Sequence, residues 1–163
     1  MAYKQDLSVL GTGNQSNTTM TAFLAFVNTT IPDVTGDGTE YTVIYDTEVF
    51  DQGSNFNLAT SVFTAPTTGR YAIQVGSDIS GTGTLTAMFC RLVTSNRTYR
   101  ISMSLAEGVA TIGSVYFSIL ADMDVGDTFT ITDTATDSGG KVVDVLGTIS
   151  SLVRNWVSAN FVS

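Results

Sequence analysis

The chain has 163 residues, enough for one domain with a sizeable core, and 43% of them are apolar, too many for a disordered segment. Only 13% are charged, against about 25% in an ordinary soluble domain, so part of the surface is expected to be covered, most simply by a second copy of the chain. A net charge of −8 repels duplex DNA and anionic lipid and makes both poor partners, and the absence of histidine excludes the usual His-dependent triads and most zinc sites.

Residues 1–20 are polar and show no alternation, so they read as an N-terminal arm or linker, with the domain running from 21 to 163. Asp6 interrupts the short apolar part of this arm, which therefore does not read as a secretory signal. No apolar run approaches the roughly 20 residues that cross a bilayer, so no membrane insertion is expected. "AFLAFV" (22–27) opens the domain as a strand. "DVTGDGTE" (33–40) follows, and Asp33, Thr35, Asp37 and Gly38 match the opening of a calcium-binding loop. The twelfth position of that loop is Ile44, where a bidentate Glu is required, and the flanks read as strands, so an EF-hand is excluded. A turn is expected instead, with Gly36 and Gly38 supplying positive φ and no cofactor needed. A looser calcium site built from Asp33, Asp37 and Glu40 is the alternative left open.

Tyr41, Val43 and Tyr45 alternate with Thr42 and Ile44, and Tyr71, Ile73 and Val75 alternate with Ala72 and Gln74. Between these runs, Pro66 ends a strand for want of an N–H, Gly69 permits a sharp return, and Tyr71 anchors the next strand with a hydroxyl that needs a partner. "TLTAMFCRLV" (84–93) puts the single cysteine, Cys90, on one strand face with Thr84, Thr86, Met88 and Leu92, as a buried structural thiol with no disulfide partner. In "SVYFSILA" (114–121) both faces are largely apolar: Val115, Phe117 and Ile119 on one, Tyr116 and Leu120 with Ser114 and Ser118 on the other. One side of an outer strand should be polar, so this strand asks for a second cover. Asp122, Asp124 and Asp127 read as a turn before "TFTIT", which sets Phe129 and Ile131 against Thr128, Thr130 and Thr132. "SSLVRNW" (150–156) is the one stretch that could form a turn of helix, and "WVSANFV" closes the chain with Val157, Ala159 and Phe161 on one face. The whole reads as an all-β sandwich of about eight to ten strands. It contains no phosphate loop, dinucleotide fingerprint or CxxC pair; the enzyme alternative is a carboxylate pair acting on a glycan, drawn from 15 acids that mostly sit in turns.

Phe63-Thr64-Ala65-Pro66 followed by Gly69-Arg70-Tyr71 resembles the signature of the C1q-like domain, a branch of the tumour-necrosis-factor-like jelly rolls. The strand and loop upstream, including Phe50, and "ILADMDVGDTFTI" and "WVSANFV" downstream are similar to that family's neighbouring elements. Ile73 and Ala159-Asn160 depart from its pattern. The resemblance implies a jelly-roll β-sandwich that forms a homotrimer and binds other molecules without chemistry, with Phe50, Phe63, Pro66, Gly69 and Tyr71 as folding signature and core. It also implies that the strand of 114–121 and the closing strand lie side by side facing a threefold axis, giving a trimer interface of Tyr116, Leu120, Val157, Ala159 and Phe161. The wording of residues 35–56 is similar to stand-alone versions from bacteriophage particles. That likeness implies synthesis in a host cytoplasm, a place on the virion surface, and a role as capsid decoration protein in contact with other virion proteins. The competing roles are a receptor-binding fibre head that grips a bacterial surface glycan or protein and, disfavoured by the residue inventory, a glycan-degrading enzyme.

Overall fold

Period-two alternation governs the chain wherever this computed structural model describes it, at residues 21–81, 85–104 and 112–163. The arm expected at 1–20 lies outside the described residues, as does Thr84. Thirteen strands follow in chain order: β1 (Ala22–Phe26), β2 (Ile31–Thr35), β3 (Tyr41–Thr42), β4 (Thr47–Gln52), β5 (Phe56–Asn57), β6 (Val62–Thr64) and β7 (Gly69–Ser80). Then come β8 (Ala87–Thr94), β9 (Thr98–Ser104), β10 (Ile112–Met123), β11 (Thr128–Thr136), β12 (Val143–Val145) and β13 (Trp156–Phe161). Every pairing between them is antiparallel, and they form a seven-stranded and a six-stranded sheet.

The long strand β7 organises the first sheet. Its whole length pairs with β10 on one edge, while β13 and then β12 occupy the other; β1 and β4 follow beyond β13. The resemblance implied that the strand of 114–121 and the closing strand lie side by side; they do not. β7 lies between them, and Tyr116, Gly76 and Trp156 stand in one row. The second sheet runs β5, β6, β11, β8, β9, with β3 also on β11.

The core lies between the sheets and is aromatic at one end. Phe23 stacks on Phe56 at 4.4 Å, Phe63 meets Phe129 at 5.0 Å, and Tyr71 meets Phe63 edge-on at 5.6 Å. Phe63 and Tyr71 are fully buried, as expected of signature residues. Pro66 sits in the bend after β6, and the Tyr71 hydroxyl closes that bend by donating to the Thr67 carbonyl at 2.7 Å. At Gly69, φ is +155° and a side chain would run into the Phe161 ring. Phe50 does not join this core. It is 42% exposed on the far side of the seven-stranded sheet, because it pairs with Leu24, an outward residue of β1, and paired residues share a face.

Two local expectations change. Residues 31–35 pair with β12, so only residues 36–38 of the stretch 33–40 form the turn; Gly36 and Gly38 have φ of +126° and +89°. "SSLVRNW" is not helical: Ile149 and Leu152 bridge each other across a tight turn with Ser150 at φ +57°.

Candidate functional site

The outward face of the seven-stranded sheet is where large apolar side chains meet solvent. Tyr116 and Leu120 are 58% and 57% exposed on edge strand β10. Register carries the face across the sheet: Tyr116 lies beside Gly76, then Trp156, then Phe26; Ser118 beside Gln74, Ser158, Leu24 and Phe50; Leu120 beside Ala72, Asn160 and Ala22. The middle strand contributes Gly76 and Ala72 on either side of Gln74, so the face is open at Gly76. Trp156 uses that opening. A Cβ on Gly76 would overlap the indole, so only glycine lets the ring lie flat across β7. Beyond Trp156, an open groove of about 460 Å³ is lined by Leu24, Phe26, Val49, Phe50, Val153 and Trp156, with Gln74 and Ser158 the polar members.

The upper end of the face is held by hydrogen bonds. The Tyr116 hydroxyl donates to Asp78 Oδ1 at 2.8 Å. Asn155, fully buried, donates to the Asp78 carbonyl at 2.6 Å and the Leu146 carbonyl at 2.8 Å, and accepts from the Asp78 N–H. Burial first, and then the Asp78 carboxylate, push the Tyr116 phenol above its ordinary pKa.

Of the five residues expected at an interface, Tyr116 and Leu120 point outward, and two do not. Val157 and Ala159 are 0% and 2% exposed and belong to the core. The reason is parity: they pair with Val75 and Ile73, which face inward, and partners in register share a face. Phe161, opposite Tyr71, is half-buried edge-on against that ring at 5.3 Å. The outward residues of the closing strand are Trp156, Ser158 and Asn160. Sequence reasoning missed Trp156, Leu24 and Phe26. The signal was present in "AFLAF", where Leu24 alternates with Phe23 and Ala25 and both faces are apolar, the pattern that singled out β10.

The acidic candidates are dispersed. Asp33 lies in β2, where its N–H donates to Asp144 Oδ1; Asp37 Oδ1 accepts from the Thr39 N–H at 3.0 Å; Glu40 forms an ion pair with Arg91 at 3.0 Å. The Thr39 hydrogen bonds hold the Asp37 carboxyl below its ordinary pKa. Among the described residues no three His, Cys, Asp or Glu side chains converge as a metal cluster. Asp124 and Asp127 close the β10–β11 turn on each other, the Asp124 N–H donating to Asp127 Oδ2 at 2.8 Å.

One carboxylate lies deep between the sheets. Asp133 is fully buried; its Oδ2 accepts from the Ser77 hydroxyl at 2.6 Å, and neither its Oδ1 nor the Tyr45 hydroxyl has a conventional N–H or O–H partner among the described residues. Burial outweighs the Ser77 and Cys90 hydrogen bonds and the Arg91 charge, raising its pKa to about 6. Burial and the same carboxylate push the Cys90 thiol up, which suits a structural thiol and not a nucleophile.

No family model matches the chain, and no curated protein does. Solved structures do. The globular domain of zebrafish complement 1qA protein is similar with a TM-score of 0.58 at 15% identity, covering 87% of this chain and 96% of that one. Eiger TNF from S. frugiperda gives 0.62 at 11% identity over 88% and 93%, and murine APRIL gives 0.61 at 11% over 88% and 99%. Two antiparallel sheets in this order, with these neighbours, make the fold a C1q/TNF-like jelly roll.

Proposed function

We propose that this C1q/TNF-like jelly roll is a non-enzymatic binding module that works as a homotrimer on a bacteriophage particle, as a capsid decoration protein. The observation that carries the assembly is the outward face of the seven-stranded sheet. Tyr116 and Leu120 stand at one edge of it, and the groove of Leu24, Phe26, Phe50 and Trp156 begins at Gln74 on the next strand and reaches to β4 at the other edge. The two patches are different in shape and lie on one face, so contact between copies is head-to-tail: the edge of one subunit enters the groove of the next. Such contacts close into a ring when the rotation allows. Each Leu or Phe covered in this way contributes about 1.5–3 kcal/mol. The scarcity of charge in the chain agrees with a surface that is largely covered.

The place on a virion rests on the likeness of residues 35–56 to phage versions of the fold. Immunogold labelling of particles from a phage that encodes the protein tests it. Label spread over the shell supports decoration. Label confined to fibre tips converts the role to receptor binding, and label on neither contradicts the virion reading. The enzyme alternative finds no support in the buried Cys90 or in the dispersed carboxylates.

A further inference from the structure

The outward face of the six-stranded sheet holds a feature that neither the fold nor the assembly explains. Arg91 on β8 stands directly opposite Arg100 on β9. Like charges at directly opposed positions destabilise a sheet, so this pairing needs compensation. Part of it is visible. Arg91 leans toward β11, donating from Nη1 to Thr134 Oγ1 at 2.6 Å and pairing with Glu40 at 3.0 Å. Arg100 approaches from the other side. Both guanidinium carbons lie over the Phe89 ring, at 5.5 Å for Arg91 and 4.7 Å for Arg100. Among the described residues, the pair has one carboxylate, Glu40, for two positive charges. Arg97 adds a third cation in the turn of the same hairpin. A chain of net charge −8 thus gathers three of its seven basic residues within ten positions.

We propose that Arg91 and Arg100, held over Phe89, form a binding site for the carboxylate of an acidic sugar. A guanidinium presents a planar fork of donors that matches a carboxylate, and contact with an aromatic ring fixes the fork before the ligand arrives. The surroundings select the carrier of that carboxylate. Thr98, Ser102 and Ser104 are exposed on β9, and Thr130 and Thr136 are half-exposed on β11, so hydroxyls flank the site. They can exchange hydrogen bonds with sugar hydroxyls. A protein partner would want a free apolar anchor at the centre; Phe89 holds that place among the described outward residues, but it is half-buried with both guanidiniums over its ring. A densely charged polyanion would be repelled by the rest of the chain. A glycan with isolated acidic units meets both conditions. The site is on the opposite side of the sandwich from the proposed assembly face, so it stands whether or not the trimer does.

Titration of the full chain with methyl glucuronoside, followed by NMR of arginine Nε–H and Phe89 ring signals, tests the proposal. Saturable shifts at Arg91, Arg100 and Phe89, absent with methyl glucoside, are expected. Arg100→Gln, on an exposed strand, should weaken binding about tenfold or more while leaving the melting temperature nearly unchanged. Phe89→Leu, which keeps both charges, should weaken it less. No saturable shift at the highest soluble concentration would overturn the site. So would equal binding of methyl glucoside, binding unchanged in Arg100→Gln, or inorganic phosphate or an acetylated glutamate peptide binding as tightly as the glucuronoside.

Discussion

The two outward faces of this sandwich are built from opposite chemistry. On the six-stranded sheet, β11 turns Thr128, Thr130, Thr132, Thr134 and Thr136 to the outer side, Thr132 and Thr134 being only 4% exposed there, and Phe129, Ile131, Asp133 and Ala135 to the inner side, so threonine lines the outer side and the inner side is apolar but for one acid. On the seven-stranded sheet, Tyr116, Leu120, Leu24, Phe26 and Trp156 occupy the positions that threonine and arginine occupy opposite. Both faces rest on the same core. The contrast is what the proposed assembly requires: a polar side left to water and a second, apolar side available to another copy of the chain.

The largest effect should come from confusing inside with outside. Val157→Asp puts a carboxylate into a fully buried position with no partner, and no soluble folded protein is expected on size exclusion or circular dichroism. Leu120→Asp, on a strand paired with the same β7, should fold and melt as a monomer. It should shift the eluted mass from trimer to single chain, and Thr130→Asp on the opposite sheet should not. A folded, cooperatively melting Val157→Asp protein would mean that the assignment of the two faces of β13 is inverted.

These two positions also show what was legible in the sequence. Alternation placed Val157 and Ala159 on a common face correctly, but period two cannot say which of two faces looks inward. Pairing with Val75 and Ile73 decides it, and pairing is a long-range fact. The signature turn was legible because it is local: Pro66, Gly69 and the Tyr71 hydroxyl all act within six residues. The groove was not, because Leu24, Phe50 and Trp156 come from three strands far apart in the chain. The Asp33, Asp37 and Glu40 cluster dissolved for the same reason, since β2 carries Asp33 away to β12 and Arg91 draws Glu40 across the other sheet. The Arg91 and Arg100 pair required the β8–β9 register, which no motif announces.

The interior offers an intermediate effect, read through pH. The Asp133 carboxyl titrates at about 6 in the fold, above its ordinary value of 3.8. Its neutral form is favoured by folding, so between about pH 4 and pH 6 the folded chain binds more protons than the unfolded one. Stability should then fall as pH rises through this window, by at most about 3 kcal/mol, and level off above it. Asp133→Asn keeps an acceptor for Ser77 and removes the charge. Its melting temperature should exceed that of the wild type at pH 7.5 and approach it at pH 4; the opposite order would show that the carboxylate is stabilised in the core.

Gly76→Ala probes the assembly face more gently. The added methyl must lift the Trp156 indole, a strain of about 1–3 kcal/mol by analogy with overpacked cores, and should weaken the trimer more than it lowers the monomer's melting temperature. The smallest effect belongs to the turn at residues 36–38. Asp37→Ala removes an acceptor for the Thr39 N–H at a fully exposed site, and a small drop in melting temperature is expected. Melts in calcium and in chelator should coincide; a shift of many degrees that disappears in Asp37→Ala would restore the calcium reading.

The central claim is that the apolar outward face is covered by other copies of the chain. Light scattering coupled to size exclusion, on the full chain across a dilution series, measures this most directly. A mass three times that of the 17.3 kDa chain, persisting to low concentration and lost in Leu120→Asp, is the predicted result. A wild-type mass of one chain at every concentration would contradict it.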